Sequence, residues 1–231
     1  MKKVSLLFLF SFFVLISNAQ QKATSTSDSK VSVTFAAGPS FRLAEVPGNT
    51  SPLVKAYIHD LKSGFSFDLG LSYMVTNSAG LGLKANLYKS SGAIGSLNLT
   101  APNGDTGFGT ASDDISIFYV GPTYTFLGKE RKNKDRFTAL FSIGYTSYLN
   151  ETNVLGNYDI KGSSLGINTE MAYYVTIVKN FQIAPRIALF GGGFRELKII
   201  GENGYNRTLD LGDNVESLWR LDPSVSLKYK F

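Results

Sequence analysis

The sequence predicts an all-β membrane protein, an eight-stranded antiparallel up-and-down transmembrane β-barrel. Three observations predict it. From Val31 to Phe231 the dominant period of the apolar side chains is two. The segments carrying that pattern are joined by connections that alternate between short and long. The longest apolar run, Val4–Ile16, holds 13 residues and is broken only by Ser5 and Ser11; it is too short to cross a ~30 Å hydrocarbon core, which needs ~20 residues of helix.

Composition narrows the function classes. The 231 residues suit one barrel domain, and 17 Phe, 12 Tyr and 23 Gly suit strands and turns rather than a helix bundle. With no cysteine, disulfides, thiolate metal sites, cysteine nucleophiles and a lipidated N-terminal cysteine are excluded. The formal charge is +5. It falls to +3 once Lys2 and Lys3 leave with the leader. So mild and dispersed a charge does not point to nucleic acid.

Residues 1–19 read as a signal peptide, with Lys2 and Lys3 as the basic region, Val4–Ile16 as the apolar region and Ser17-Asn18-Ala19 as the small-residue cleavage site after Ala19. Residues 20–30 (QQKATSTSDSK) are polar and of low complexity, and are expected to form a flexible periplasmic tail. The barrel domain is expected over 31–231.

The second strand shows the period best: Phe65, Phe67, Leu69, Leu71, Tyr73 and Val75 share one face and Ser66, Asp68, Gly70, Ser72 and Met74 the other. The first strand is expected at about 31–43, the third at 80–91, the fourth at 114–127, the fifth at 136–149, the sixth at 164–178, the seventh at 181–195 and the eighth at 215–231. Their second face is small, polar or charged: Arg42, Lys84, Asn86, Asn168, Glu170, Arg186, Arg220, Asp222 and Lys228 all lie on it.

Asn77-Ser78-Ala79, the segment Gly128–Asp135 and Lys179-Asn180 form short turns at one end. Long loops are expected at about 44–62, 92–113, 150–163 and 196–214, at the other. That asymmetry is the mark of an outer-membrane barrel with periplasmic turns, extracellular loops and both termini on the periplasmic side. A soluble eight-stranded barrel alternates too, with its apolar face inward. The exported chain, the aromatics near strand ends (Phe65, Tyr73, Phe137, Tyr145, Trp219, Tyr229, Phe231) and the two signs of charge on the polar face favour the apolar face turned to lipid. Pro39, Pro122, Pro185 and Pro223 sit inside strands although proline cannot donate to a ladder. They are expected at bulges or bends near a rim.

The leader ending in Ala-Gln, the Gly-Pro-containing strands and the final Pro-Ser-Val-Ser-Leu-Lys-Tyr-Lys-Phe resemble the small bacterial outer-membrane β-barrel domain family, including its PorT-like members. The resemblance covers about 31–231. It implies that Tyr229 and Phe231, in phase with Val225 and Leu227, form the signal that the barrel-assembly machinery reads. It implies architecture rather than activity.

Several constellations bear on chemistry. Asp68, Lys84, Glu170, Arg186, Arg220 and Asp222 are expected to face the lumen as a packed, mutually neutralised polar network, the alternative being a narrow ion or solute path as in porins. His59, the single histidine, would be the base of a lipid-modifying enzyme only if a nucleophile and an orienting group converged on it. Ser112-Asp113-Asp114 and Asp210–Asn214 lack the ligand spacing of a calcium loop. Asn49, Asn98, Asn150 and Asn206 begin Asn-x-Ser/Thr triplets in expected loops, and Gly201-Glu202-Asn203-Gly204 predicts a hairpin turn that projects beyond the membrane. No catalytic, cofactor or metal site emerges. The functional expectation is a non-enzymatic barrel with a structural or surface-interaction role through long loops, in contact with outer-membrane lipids.

Overall fold

The structure, a computed structural model, describes residues 30–43, 50–130, 135–212 and 216–231. The expected leader, residues 20–29 of the expected tail, Asn49, the middle of the turn after Gly128, Asp213 and Asn214 lie outside the described residues. In chain order the elements are β1 (Val31–Arg42), α1 (Pro52–Lys62), β2 (Ser63–Met74), β3 (Ala79–Thr100), β4 (Thr106–Leu127), β5 (Arg136–Val154), β6 (Asn157–Val178), β7 (Phe181–Phe194), β8 (Glu196–Gly201), β9 (Asn206–Asp210), β10 (Glu216–Ser217) and β11 (Arg220–Lys230).

Neighbouring strands pair antiparallel from β1 to β7, and β11 pairs with both β7 and β1, so eight strands close a ring. Closure leaves no unpaired edge in the ring, which is the condition for strands to stand in lipid. The alternation read from the sequence is resolved as outward and inward faces. Leu83 is 59% exposed while Lys84 beside it is 3% exposed. The outer wall is a belt of Phe35, Leu69, Leu81, Phe141, Ile143, Met171 and Val225, an apolar surface far more continuous than a soluble monomer carries. Aromatic pairs flank it: Phe65 and Phe67 with ring centroids 5.1 Å apart, Tyr124 and Phe126 at 4.5 Å, Tyr229 and Phe231 at 5.0 Å.

The prolines act differently from expectation. The register shifts fall at Ile94/Leu97 and at Thr176/Val178, not at a proline. Pro39, Pro122, Pro185 and Pro223 remain paired on one side and interrupt the ladder on the other, in unchanged register. A strand residue turns its N–H to one neighbour only, so a missing donor opens a gap on that side alone. Pro39 and Pro223 face each other across the β1–β11 gap, which concentrates two missing donors in one place. There the chains approach closely: a Cβ on Gly38 would lie 2.3 Å from the Pro223 carbonyl oxygen. Opposite Pro122, Ser142 donates to the freed Pro122 carbonyl at 2.7 Å.

Three expected loops are largely strand. β3 and β4 continue as a hairpin to a tight turn at 101–105, where Gly104 has φ +95°. β5 and β6 meet in the two-residue turn Leu155-Gly156, with φ 55° and 150°. Asn98 and Asn150 therefore lie within strands, and Asn206 opens one. β8 and β9 form the expected hairpin, from Glu196↔Asp210 to Ile200↔Asn206, and β8 adds to the upper part of β6. Between Gly166↔Gly192 and Lys161↔Lys198 no ladder joins β6 to the following chain. The first long loop holds a helix. Ser51 caps α1 by accepting from the Val54 amide at 3.4 Å, and Pro52 takes the first turn, where no donor is needed.

Candidate functional site

The ring encloses four layers, and strand order gives their sequence from the turn end to the loop end. On β3 the inward residues rise as Lys84, Asn86, Tyr88, Ser90; on β7 as Arg186, Phe190, Phe194; on β11 they descend as Arg220, Asp222, Lys228. Both described ends of the chain, Lys30 and Phe231, sit at the turn end, where the Phe231 amide donates to the Val31 carbonyl at 3.1 Å.

Nearest the turns is an open vestibule of about 520 Å³. Above it lies a charged layer. Lys84 contacts Asp68 at 2.7 Å and Glu170 at 2.5 Å; Arg186 contacts Glu170 at 3.0 Å, Asp68, and the Ser224 hydroxyl at 2.8 Å. Two cations and two carboxylates cancel within one cross-section. Each partner is held by at least two others, the arrangement a buried ion cluster requires.

The next layer is built on Arg220, which is fully buried. It pairs with Asp222 at 3.1 Å and donates to the Asn86 side-chain oxygen. Asp222 also accepts from Ser40. The six residues picked out by alternation thus divide into a group of four and a pair. The guanidinium carbon lies 4.2 Å from the Phe190 ring centre and 5.1 Å from that of Tyr88, so cation–π attraction adds to the ion pair at this buried position.

The loop-side layer escaped the sequence reading. Tyr88, Ile115, Ile117, Tyr119, Tyr148, Phe190, Phe194 and Leu218 form a buried apolar cluster inside the ring, with Leu61 of α1 and Leu197 of β8 packed against it. Tyr119 and Phe190 meet edge to face at 5.3 Å. Their phase was available: Tyr88 is in step with Lys84, and Phe190 with Arg186. Strand parity places them in the lumen.

α1 closes this end. Leu61 rests where a Cβ on Gly92 would stand, 3.0 Å away, and its carbonyl accepts from Ser90 at 3.0 Å. Tyr57 donates to the Asp113 carboxylate, whose other oxygen accepts from Asn150 at 2.5 Å. Asp113 is thus the anchor that ties α1 to β4 and β5. Asp210 accepts from the Gly212 amide at 2.8 Å. Among the described residues no group of three or more metal-ligating side chains forms. His59 is exposed on α1, and among the described residues no serine or carboxylate hydrogen-bonds to it.

No protein family matches the sequence, and no curated protein matches it either. Solved structures do match in fold. A major outer membrane protein from Thermus thermophilus aligns over 87% of this chain and 99% of its own, at 11% identity and a TM-score of 0.52. The outer membrane protein OprG from Pseudomonas aeruginosa aligns over 90% and 99%, at 11% identity and a TM-score of 0.51. The likeness is one of fold, that of outer-membrane β-barrel proteins.

Proposed function

We propose that this chain is a non-enzymatic, closed barrel of the bacterial outer membrane that acts through the surface at its loop end. The observation that carries this reading is the double seal of the lumen. A neutralised ion layer and an apolar layer are stacked across an eight-stranded ring just wide enough for its own side chains, and α1 sits over the second. A solute path would have to break both. What is left for partners is the sheet formed by the extensions of β3 to β6, the β8–β9 hairpin and α1, from which Phe108 projects 72% exposed. The apolar outer belt supports contact with outer-membrane lipids. The alternating terminal strand, with Tyr229 and Phe231 meeting edge to face on the outer wall, supports membership of the PorT-like group and recognition by the barrel-assembly machinery.

Two measurements test the reading. In planar bilayers the folded protein gives no unitary conductance steps; steady channel activity would refute the sealed lumen. In whole cells a photo-crosslinking side chain at Phe108 or Arg207 yields discrete protein or glycolipid adducts, whereas one at Leu81 on the belt yields phospholipid only. Absence of adducts at both loop-end positions would refute the interaction role.

A further inference from the structure

We infer that the vestibule at the turn end is a binding site for an oxyanion of the phosphate class, with Lys228 as its innermost ligand. The cavity of about 520 Å³ falls within the range of small-molecule sites. Its charge is one-sided. Lys30, Arg136, Lys228 and Lys230 line it against a single carboxylate, Glu130, which pairs with Arg136. The formal charge of the described lining is therefore +3.

The floor makes this a built site rather than a basic mouth. Lys228 is 8% exposed, and its ammonium lies 3.6 Å from the Tyr174 ring centre. Among the described residues no carboxylate forms an ion pair with it. The Thr125 and Thr138 hydroxyls, also buried, have no hydrogen-bond partner. All three side chains, with Tyr174, line both the vestibule and a small cavity of about 30 Å³ between it and the charged layer. A buried ammonium and two unpartnered hydroxyls lining the same cavity are costly unless an acceptor joins them. One carboxylate would offset a single charge of the lining. A phosphate group brings up to two charges and several acceptor oxygens, and lysine serves it as a compact point charge. The sealed layers above make the vestibule a dead end, so the anion is held rather than conducted.

The same chemistry is offered by free phosphate, by a small phosphorylated solute and by a phospholipid headgroup. The test uses the full folded protein, its fold checked by the different gel migration of boiled and unboiled samples. Inorganic phosphate is titrated calorimetrically in a neutral detergent, with chloride at equal ionic strength as control. In parallel, thermal stability is compared in nanodiscs of phosphatidylcholine with and without phosphatidylglycerol. Saturable phosphate binding in detergent identifies a free anion; stabilisation by phosphatidylglycerol alone identifies a headgroup. In either arm Lys228→Met is expected to weaken the effect at least about tenfold, and Thr138→Val, which leaves the charge unchanged, to weaken it about threefold. If Lys228→Met does not fold, Lys30→Gln, outside the strands, replaces it with a smaller expected loss. No response to either probe, or an equal response in wild type and variants, overturns the inference.

Discussion

Replacing Arg186 with methionine isolates the mutual neutralisation of the lumen. In the wild type its guanidinium joins Asp68, Glu170 at 3.0 Å and Ser224 at 2.8 Å. After the substitution the two carboxylates share Lys84 alone, at 2.7 and 2.5 Å, and the layer carries a net charge of −1. Methionine fills much of the vacated volume, so little of the effect comes from a cavity. Breaking a buried ion group by removing one partner costs about 3–5 kcal/mol. The assay is urea unfolding in detergent micelles, followed by the emission of Trp219, the only tryptophan in the chain. The double variant Arg186→Met/Asp68→Asn leaves one neutral pair, Lys84 with Glu170, and is expected to recover at least about 2 kcal/mol through the coupling of neighbouring sites. A single variant within about 1 kcal/mol of wild type would show charges screened by water, as at a surface. A double variant no more stable than the single one would show that net charge is not the cause. Either result refutes the reasoning.

Three further outcomes follow from the geometry. Gly144→Ala places a Cβ 2.2 Å from the Val120 carbonyl oxygen and 2.6 Å from the Gly121 Cα; both are main chain and cannot yield, so a loss of about 3 kcal/mol is expected, seen as a reduced fraction of the fast-migrating folded band on unboiled gels. Tyr57→Phe removes the donor to Asp113 and is expected to loosen α1 by about 1–2 kcal/mol, raising hydrogen exchange over residues 52–62 and leaving the ring amides unchanged. Phe231→Ala is expected to lower the amount of folded protein in the outer membrane of cells while moving the urea midpoint in detergent by less than about 1 kcal/mol. An equal loss in both would assign Phe231 to stability rather than to assembly.

Where the sequence misled, local chemistry stood in for tertiary position. The segment 150–163 was expected as a loop, and Asn150, Asn153, Gly156 and Asn157 are residues that favour turns. Yet Asn150 is buried against Asp113, and the turn itself falls on Leu155, a residue that takes positive φ only under constraint. The segment 92–113 was expected as a loop, yet it is strand up to and beyond a turn that Pro102-Asn103-Gly104 marks. α1 was legible in Ser51-Pro52 followed by Leu53, Tyr57 and Leu61 at helical spacing, but the strand period on either side masked it.

What the sequence determined by itself was parity. A strand alternates its side chains with a period of two, so the order of residues alone assigned Lys84, Glu170, Arg186 and Arg220 to one face and Leu83, Met171, Ile187 and Leu221 to the other. The balance of apolar and charged residues said which face meets lipid. Parity assigns a face and no partner. Only the closed ring, through its strand pairings, set Asp68 of β2 against Arg186 of β7, brought Arg220 between Phe190 and Tyr88, and put Lys228, Thr125 and Thr138 on the wall of one cavity. These meetings depend on register across strands far apart in the chain, and register is a property of closure rather than of any single segment.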